Sequence, residues 1–598
     1  MRFTIPFCLL MLHVPGLHPA MAVEESVLEA QKRRIAVVKK AAPSVVAIFG
    51  KGGQGGGSGV LVSPDGYALS NFHVTRGAGT FMKCGLNDGV LYDAVIVGID
   101  PTGDVALVKL LGRDDFPYAK MGDSDKTKVG DWAYAMGNPF LLATDFQPTV
   151  TYGIVSGVHR YQYPAGTFLE YADCIQVDSS INPGNSGGPL FNDDGELIGI
   201  NGRGSFEKRG RVNSGAGYAI SINQIRYFLD HLRSGRIVDH ATLGATVTTN
   251  EEGSVVVNSI LESSEAYRRG LRIDHEIVNF AGRPIRSVNQ FKNILGVYPK
   301  GWRLPLTYRH EETRYDIMAR LRGVHRQSEL MPKQRPKPQP KPGGPKPGEK
   351  PKDGKPGEKP EEEKTKTSPK PKQSASQVPE KYKHMFVRKA GFANYYFNEQ
   401  EQKRLKPFLD AWGDFKGEDG TWRISGESAD AEAFTLTLAS KGLGMELNKE
   451  PFYQALDGTD FKDEPAGSGG FLVAMHHLKL LLTQGREAFS EYYYLGSEPL
   501  DLTGQLVDVI FTSLNGVETR WYFSRAVTEG DQVRFPPAFI GFSCQLLEDM
   551  DECEVYFASI RDFDGRLFPG EMVIRVTGRE YLRLLTTSFT TTAARDDD

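Results

Sequence analysis

Ile181-Asn182-Pro183-Gly184-Asn185-Ser186-Gly187-Gly188-Pro189-Leu190 sets one serine among three glycines and two prolines. Proline fixes φ and glycine admits conformations and close approaches that a β-carbon forbids. The backbone must therefore turn tightly here and leave little bulk around the hydroxyl. Such a loop can aim the N–H groups of Gly184 and Ser186, with Asn185 between them, at one point where an oxyanion would develop. A glycine-rich turn alone is only a turn. It becomes a nucleophile's seat when a base and an acid that orients the base accompany it.

Both lie upstream. Gly55 to Val74 reads as two short strands joined by Pro64-Asp65-Gly66, and His73 follows the second strand. Asp104 then opens the apolar strand Val105-Ala106-Leu107-Val108-Lys109-Leu110. The order His, Asp, Ser is that of chymotrypsin-like folds, not of subtilisins or α/β-hydrolases. Together with Gly57-Ser58-Gly59-Val60, Leu69-Ser70-Asn71-Phe72-His73-Val74, Ala135-Met136-Gly137-Asn138-Pro139-Phe140 and Thr149 to Ser156, the serine loop resembles the trypsin-like serine proteases of the HtrA (Deg) family. The matching segments run from about Pro43 to Ile225.

The resemblance implies peptide hydrolysis, directed at misfolded or unfolded envelope proteins. The chemistry assigns His73 as the base, Asp104 as the group that fixes its tautomer, and Ser186 as the nucleophile. Six residues before the nucleophile, where trypsin-type enzymes place an acid, stands Ser180, followed by Ile181; Ala219 and Ile220 are expected on the opposite pocket wall. With no carboxylate to receive a basic side chain, cleavage is expected after small or medium aliphatic residues. Asn185 stands where activated zymogens carry an acid, so control by loop ordering is expected in place of an activating cut. The rival from another class is a catalytically silent, chaperone-like adaptor that binds peptide with the same domains.

Length and composition set the frame. The 598 residues predict several domains, and a net charge of −4 with 40% apolar residues gives no electrostatic case for nucleic acid. Arg2, the apolar run Phe3–Val14 and Ala20-Met21-Ala22 read as a signal peptide over 1–22, with an uncleaved anchor as the alternative. No later segment is long and apolar enough to span a bilayer. An exported location follows: periplasmic or envelope-associated, or else secreted. Cys84, Cys174, Cys544 and Cys553 are too few for a disulfide scaffold, although Cys544 and Cys553 are spaced to close a small loop. No metal site and no cofactor are expected.

The expected architecture is multidomain and mainly β. An amphipathic helix over Val23–Lys40 precedes a chymotrypsin-like double β-barrel, the two forming a protease domain over 23–235. In the family resembled, segments before the first strand contribute to trimers, which makes a homotrimer one possibility and a helix packed on the barrel another. Residues 240–322 resemble a bacterial PDZ domain, with a strand at Ser254–Ile260, a helix at Ser287–Leu295 and a strand at Leu304–Arg309. The resemblance implies capture of peptide C-termini by the amides of Leu243, Gly244 and Ala245. Residues 329–380 are Pro, Lys, Gly and Glu in near-repeats, read as a disordered linker. From 381 to 598 an α+β domain of unreadable function is expected. It has a helix at Gly470–Leu482, strands at Val507–Ser513, Thr519–Ser524, Cys553–Ile560 and Gly570–Val576, and a hairpin at Asp562–Arg566.

Overall fold

The structure is a computed structural model that describes residues 24–50, 56–138, 145–162, 169–206, 213–330, 379–458, 460–500, 504–529 and 532–593. The expected signal peptide and most of the Pro/Lys-rich segment lie outside the described residues. The described residues are mainly β, with two closed six-stranded barrels, two further large sheets built on them and two two-stranded sheets.

The first barrel comprises β1 (Val45–Phe49), β2 (Gly56–Leu61), β3 (Tyr67–Ser70), β4 (Phe81–Gly85), β5 (Leu91–Asp100) and β6 (Val105–Leu110), closing in the order β1-β2-β3-β6-β5-β4. The second comprises β7 (Trp132–Gly137), β8 (Thr149–Gln162), β9 (Tyr171–Val177), β10 (Pro189–Phe191), β11 (Leu197–Phe206) and β12 (Asn213–Ser221), in the order β10-β11-β12-β9-β8-β7. Short runs of β-branched and apolar residues supply the strands, and a closed barrel leaves no edge to protect. Helix α1 spans Glu25–Ala41, and only its last two turns bury apolar side chains, Val37 and Ala41. Val27 and Ile35 are exposed, so the predicted apolar stripe does not cover a core along its whole length. Helix α2 (Phe72–Ala78) follows β3, and α3 (Ile222–Arg233) follows β12.

The third sheet runs Ala245–Thr249, Val255–Ile260, Glu276–Phe280, Arg303–His310, Thr313–Arg320, and its first strand is an edge. Its helix, Val288–Leu295, starts where Ser287 Oγ accepts from Gln290 N at 3.1 Å, an N-cap that satisfies one free donor of the first turn. That helix docks on the second barrel: Asn293 Oδ1 accepts from Asp173 N (2.5 Å) and Asn293 Nδ2 donates to the His159 carbonyl (2.8 Å).

Beyond residue 379 an eleven-stranded antiparallel sheet runs from Glu450–Ala455 at one edge to Glu491–Leu500 at the other. The Phe471–Thr483 helix packs on it and is buried nearly all round, with Phe471, Met475 and Leu478 in one core with Trp422 and Trp521. A second helix, Tyr395–Asp410, has no counterpart in the expectations; a proline at position 407 and sparse apolar spacing hid it. Cys544 and Cys553 are cross-strand neighbours, and both are free buried thiols.

The C-terminal sheet packs against α3. His231 Nε2 donates to the Ser497 carbonyl (3.0 Å), Ser497 Oγ donates to Asp230 Oδ2 (2.8 Å), and Arg236 Nη1 donates to the Leu495 carbonyl (2.9 Å). Gly496 leaves room for the imidazole, since a Cβ there would fall 2.7 Å from the His231 ring. An acidic stretch leading into the strand Cys553–Phe563 meets arginines on and beside the third sheet: Arg269 with Asp551 (2.9 Å), Arg320 with Glu552 (2.6 Å), and Arg303 with Glu554.

Candidate active site

The two barrels meet at β2 and the serine loop. Ser58 N donates to the Ser186 carbonyl (2.9 Å), and Ser58 Oγ donates to the Gly184 carbonyl (2.7 Å) while accepting from Asn138 N (2.9 Å). A strand of the first barrel thus clamps the turn of the second. Gly187 and Gly188 make this approach feasible: a Cβ at either would lie 2.2 Å from the carbonyl oxygen of Ser58 or Met136 respectively.

On the first barrel, Asp104 precedes β6 with φ +57° and is fully buried. Its oxygens organise the start of α2. His73 N donates to Asp104 Oδ1 (3.0 Å), and His73 Nδ1 lies 2.7 Å from Asp104 Oδ2. Phe72 N and Asn71 Nδ2 both donate to the Asp104 carbonyl, at 3.1 and 2.9 Å. The acid therefore fixes the imidazole and the helix that carries it. The His73 side chain keeps 43% of its surface exposed, while its partner Asp104 keeps none. Burial works to lower the His73 pKa, but the hydrogen bond and charge of Asp104 prevail and hold it above the ordinary imidazole value.

The serine loop is a type II turn. Asn185 N donates to the Asn182 carbonyl (2.9 Å), Pro183 takes the second position, and Gly184 takes the third with φ +106°. Among the described residues neither Gly184 N nor Ser186 N has an acceptor, which leaves two N–H donors flanking one residue. The third expected donor is corrected: the Asn185 amide closes the turn, and its side-chain Nδ2 points back to the Ser180 carbonyl at 3.4 Å. Ser186 Oγ donates to the Gly202 carbonyl at 3.4 Å, a long bond, and makes no hydrogen bond to His73 among the described residues. Hydrogen bonds of this kind are often long in ligand-free sites.

The expected pocket residues separate. Ile181 and Ala219 share one apolar cluster with Val177 and Ile198. Ile220 belongs to another, with Tyr134 and Phe228. Neighbouring residues of a strand face opposite sides, so Ile220 cannot line the same wall as Ala219. Ser180 is exposed, and its carbonyl also accepts from Thr151 Oγ1 (3.0 Å). In the third sheet the Leu243 side chain is buried in the core, and Gly244 N donates to Thr242 Oγ1 at 3.2 Å. Of that loop, Ala245 opens the exposed edge strand. No group of three or more metal-ligating side chains occurs among the described residues.

Three groups that sequence reasoning passed over complete the site. Ser58 lay inside a quoted motif without a role. Tyr171, at the start of β9, donates its phenol to Asp104 Oδ2 at 2.6 Å, and Gly202 lies against its ring. No spacing rule links positions so far apart.

Residues 57–200 match the model of the "Trypsin-like peptidase domain". This stretch of the chain is similar to trypsin-like peptidase domains. Curated relatives match over a longer stretch than this. The probable periplasmic serine endoprotease DegP-like of Chlamydia pneumoniae is 36% identical over 261 residues, covering 42% of this chain and 51% of that protein. The periplasmic serine endoprotease DegP of Escherichia coli (strain K12) is 35% identical over 278 residues, covering 43% and 56%. The chain thus spans about half the length of the curated relatives it matches. Among solved structures, the HtrA-type protease AlgW with tripeptide is 30% identical over 48% of this chain and 96% of that one, with a TM-score of 0.39.

Proposed function

We propose that this protein is an exported serine endopeptidase of the HtrA type that cleaves unfolded or misfolded proteins. The observation that carries the reading is the pairing of His73 with Asp104 on one barrel, clamped through Ser58 to a turn whose Gly184 and Ser186 amides are without acceptors. In this reading Ser186 attacks the scissile carbonyl while His73 takes its proton and later returns it to the leaving amine. Asp104 holds Nδ1–H and favours the imidazolium. The oxyanion receives hydrogen bonds from Gly184 N and Ser186 N, each typically worth about 10²–10³ in rate. No carboxylate stands at Ser180 or Ile181, and Ile181 and Ala219 are buried in one apolar cluster, in keeping with small or medium aliphatic residues before the scissile bond.

The 245–320 sheet acts as a PDZ-like module in this proposal, adding a peptide strand along the open edge Ala245–Thr249. The relatives' printed names place them in the periplasm, and the charged-then-apolar start of this sequence is consistent with export.

The test is labelling by an organophosphonate probe together with cleavage of a permanently unfolded protein such as casein. Wild type is expected to label and cleave, and Ser186→Ala to do neither while still binding. Cleavage undiminished in Ser186→Ala overturns the assignment. The contact of Ser186 Oγ with Gly202 in place of His73 favours the silent adaptor as second reading, and an unlabelled wild type that binds peptide would establish it.

A further inference from the structure

Asp104 Oδ2 accepts two hydrogen bonds, one from His73 Nδ1 and one from the Tyr171 hydroxyl. The second crosses from β9 of one barrel to the acid of the other, and Tyr171 is itself buried. A phenol, with its pKa near 10, is protonated at neutral pH and donates to a carboxylate that has few other partners. Its hydrogen bond stabilises the anion and fixes which way the carboxylate plane faces, and so the direction in which it presents Oδ2 to the imidazole.

The ring fits because position 202 is glycine. A Cβ there would lie 2.6 Å from Tyr171 Cε1 and 3.1 Å from its oxygen. Gly202 is absent from the positive-φ residues, so what glycine supplies here is space and not a special backbone angle. The carbonyl of the same Gly202 accepts the Ser186 hydroxyl. One residue therefore touches both the nucleophile and the tyrosine that holds the acid. The strand is pinned from behind as well, where Asp173 N, two residues on, donates to Asn293 of the Val288–Leu295 helix.

We infer that Tyr171 is a positioning residue for the reaction, acting through Asp104, and that Gly202 is the notch that admits it. The inference rests on the hydrolytic reading of Ser186. Asp104 is the charged group that bears on His73. Removing the phenol leaves that carboxylate with one fewer donor and makes it a stronger acceptor for the imidazole. Tyr171→Phe keeps the ring and loses only the hydroxyl. It is expected to lower kcat/KM about tenfold through kcat, with KM little changed, and to move the acid limb of the pH profile upward. Gly202→Ala is expected to move the limb the same way by displacing the ring, and to move it no further when added to Tyr171→Phe.

A second measurement needs no turnover: NMR titration of the His73 imidazole in Ser186→Ala protein labelled with 13C at histidine. The expected result is a raised His73 pKa on adding Tyr171→Phe. An unchanged titration, or a Tyr171→Phe enzyme with wild-type kcat/KM and acid limb, overturns the inference. Failure of wild type to label with organophosphonate instead overturns the hydrolytic reading, and the titration still decides the role of Tyr171.

Discussion

At Gly184 the backbone stands at φ +106°, a region closed to most side chains, and that angle separates a type II from a type I turn. The two turns differ in which way the Pro183–Gly184 peptide faces, and so in where Gly184 N–H points. Gly184→Ala is expected to favour the other peptide orientation and remove one of the two proposed oxyanion donors. The cost is a roughly 10²-fold loss of kcat/KM, with organophosphonate labelling of Ser186 slowed in proportion. Thermal melting should shift little, because the turn is partly exposed at the surface. A wild-type rate in Gly184→Ala would show that Ser186 N–H suffices. The pairing of His73 with Asp104 was legible in the sequence because each stands in a local pattern of strand, turn and glycine, while the Ser186 hydroxyl meets Gly202. Tyr171 was not, because its partner is 67 positions away and its place depends on a void at Gly202. Ile220 was grouped with Ala219 for want of a register: the strand sets the two in different apolar clusters, and only the pairing of β11 with β12 fixes which residues of Gly217 to Ser221 share a face.

Elements carry the pH response. The Phe471–Thr483 helix contributes two adjacent histidines that face different surroundings. His477 is buried with Nδ1 beside Thr519 Oγ1 (2.8 Å), while the Nδ1 of His476 has no partner. Burial, reinforced by Lys479, pushes His476 down to about 4, and burial with His476 alongside pushes His477 down to about 3. On α3, burial and the charge of Arg236 take His231 to about 3. A histidine whose folded pKa lies below its unfolded value of 6.5 binds its proton more readily in the unfolded chain. Its stabilising effect is present above pH 6.5 and is lost as pH falls toward 4 and then 3. Each such group costs roughly 1.4 kcal/mol at pH 5.5. His240, buried between Asp100 and the Gly296 carbonyl, has the opposite sign: burial is outweighed by Asp100, its pKa is raised, and its contribution fades only as pH rises through that raised value. Tryptophan fluorescence, with Trp302, Trp412, Trp422 and Trp521 all buried, is therefore expected to report a lower denaturant midpoint at pH 5.5 than at pH 7.5. His477→Gln should flatten the difference, and equal midpoints in wild type would contradict these burial-driven shifts. The sequence showed this helix by its apolar run, but it could not show that the polar side chains of the run were buried too. That required a sheet of eleven strands, most of them too irregular in alternation to be recognised singly.

At the scale of the molecule the surprise is how much of the C-terminal half rests on the first. The sequence shows a composition break between 329 and 380, which reads naturally as a tether between independent units. The described residues on either side say otherwise. Leu330 is buried in the core of the first barrel. On the far side Ile237 N donates to the Gly391 carbonyl, Ala393 N to the Gly235 carbonyl, and Asn394 Nδ2 to the Ile96 carbonyl, while Phe397 enters the core that unites the two barrels. Both ends of the intervening chain are thus fastened to the same body. The seam is extended by α3 and by the arginines paired with Asp551, Glu552 and Glu554. Composition reports whether a segment can build a core, but not whether its flanks return to the same one.

The consequence is that the covalent link is dispensable for keeping the halves together. With a specific protease site inserted between residues 331 and 378 and then cut, the two fragments are expected to co-elute as one species on gel filtration and to part only in denaturant. Separation under native conditions would refute this. A chain so fastened behaves as two complementing fragments closed into a ring by a removable strap. Deleting its C-terminal half would not free a peptidase but would strip the cover from α3 and expose the seam on which that half rests.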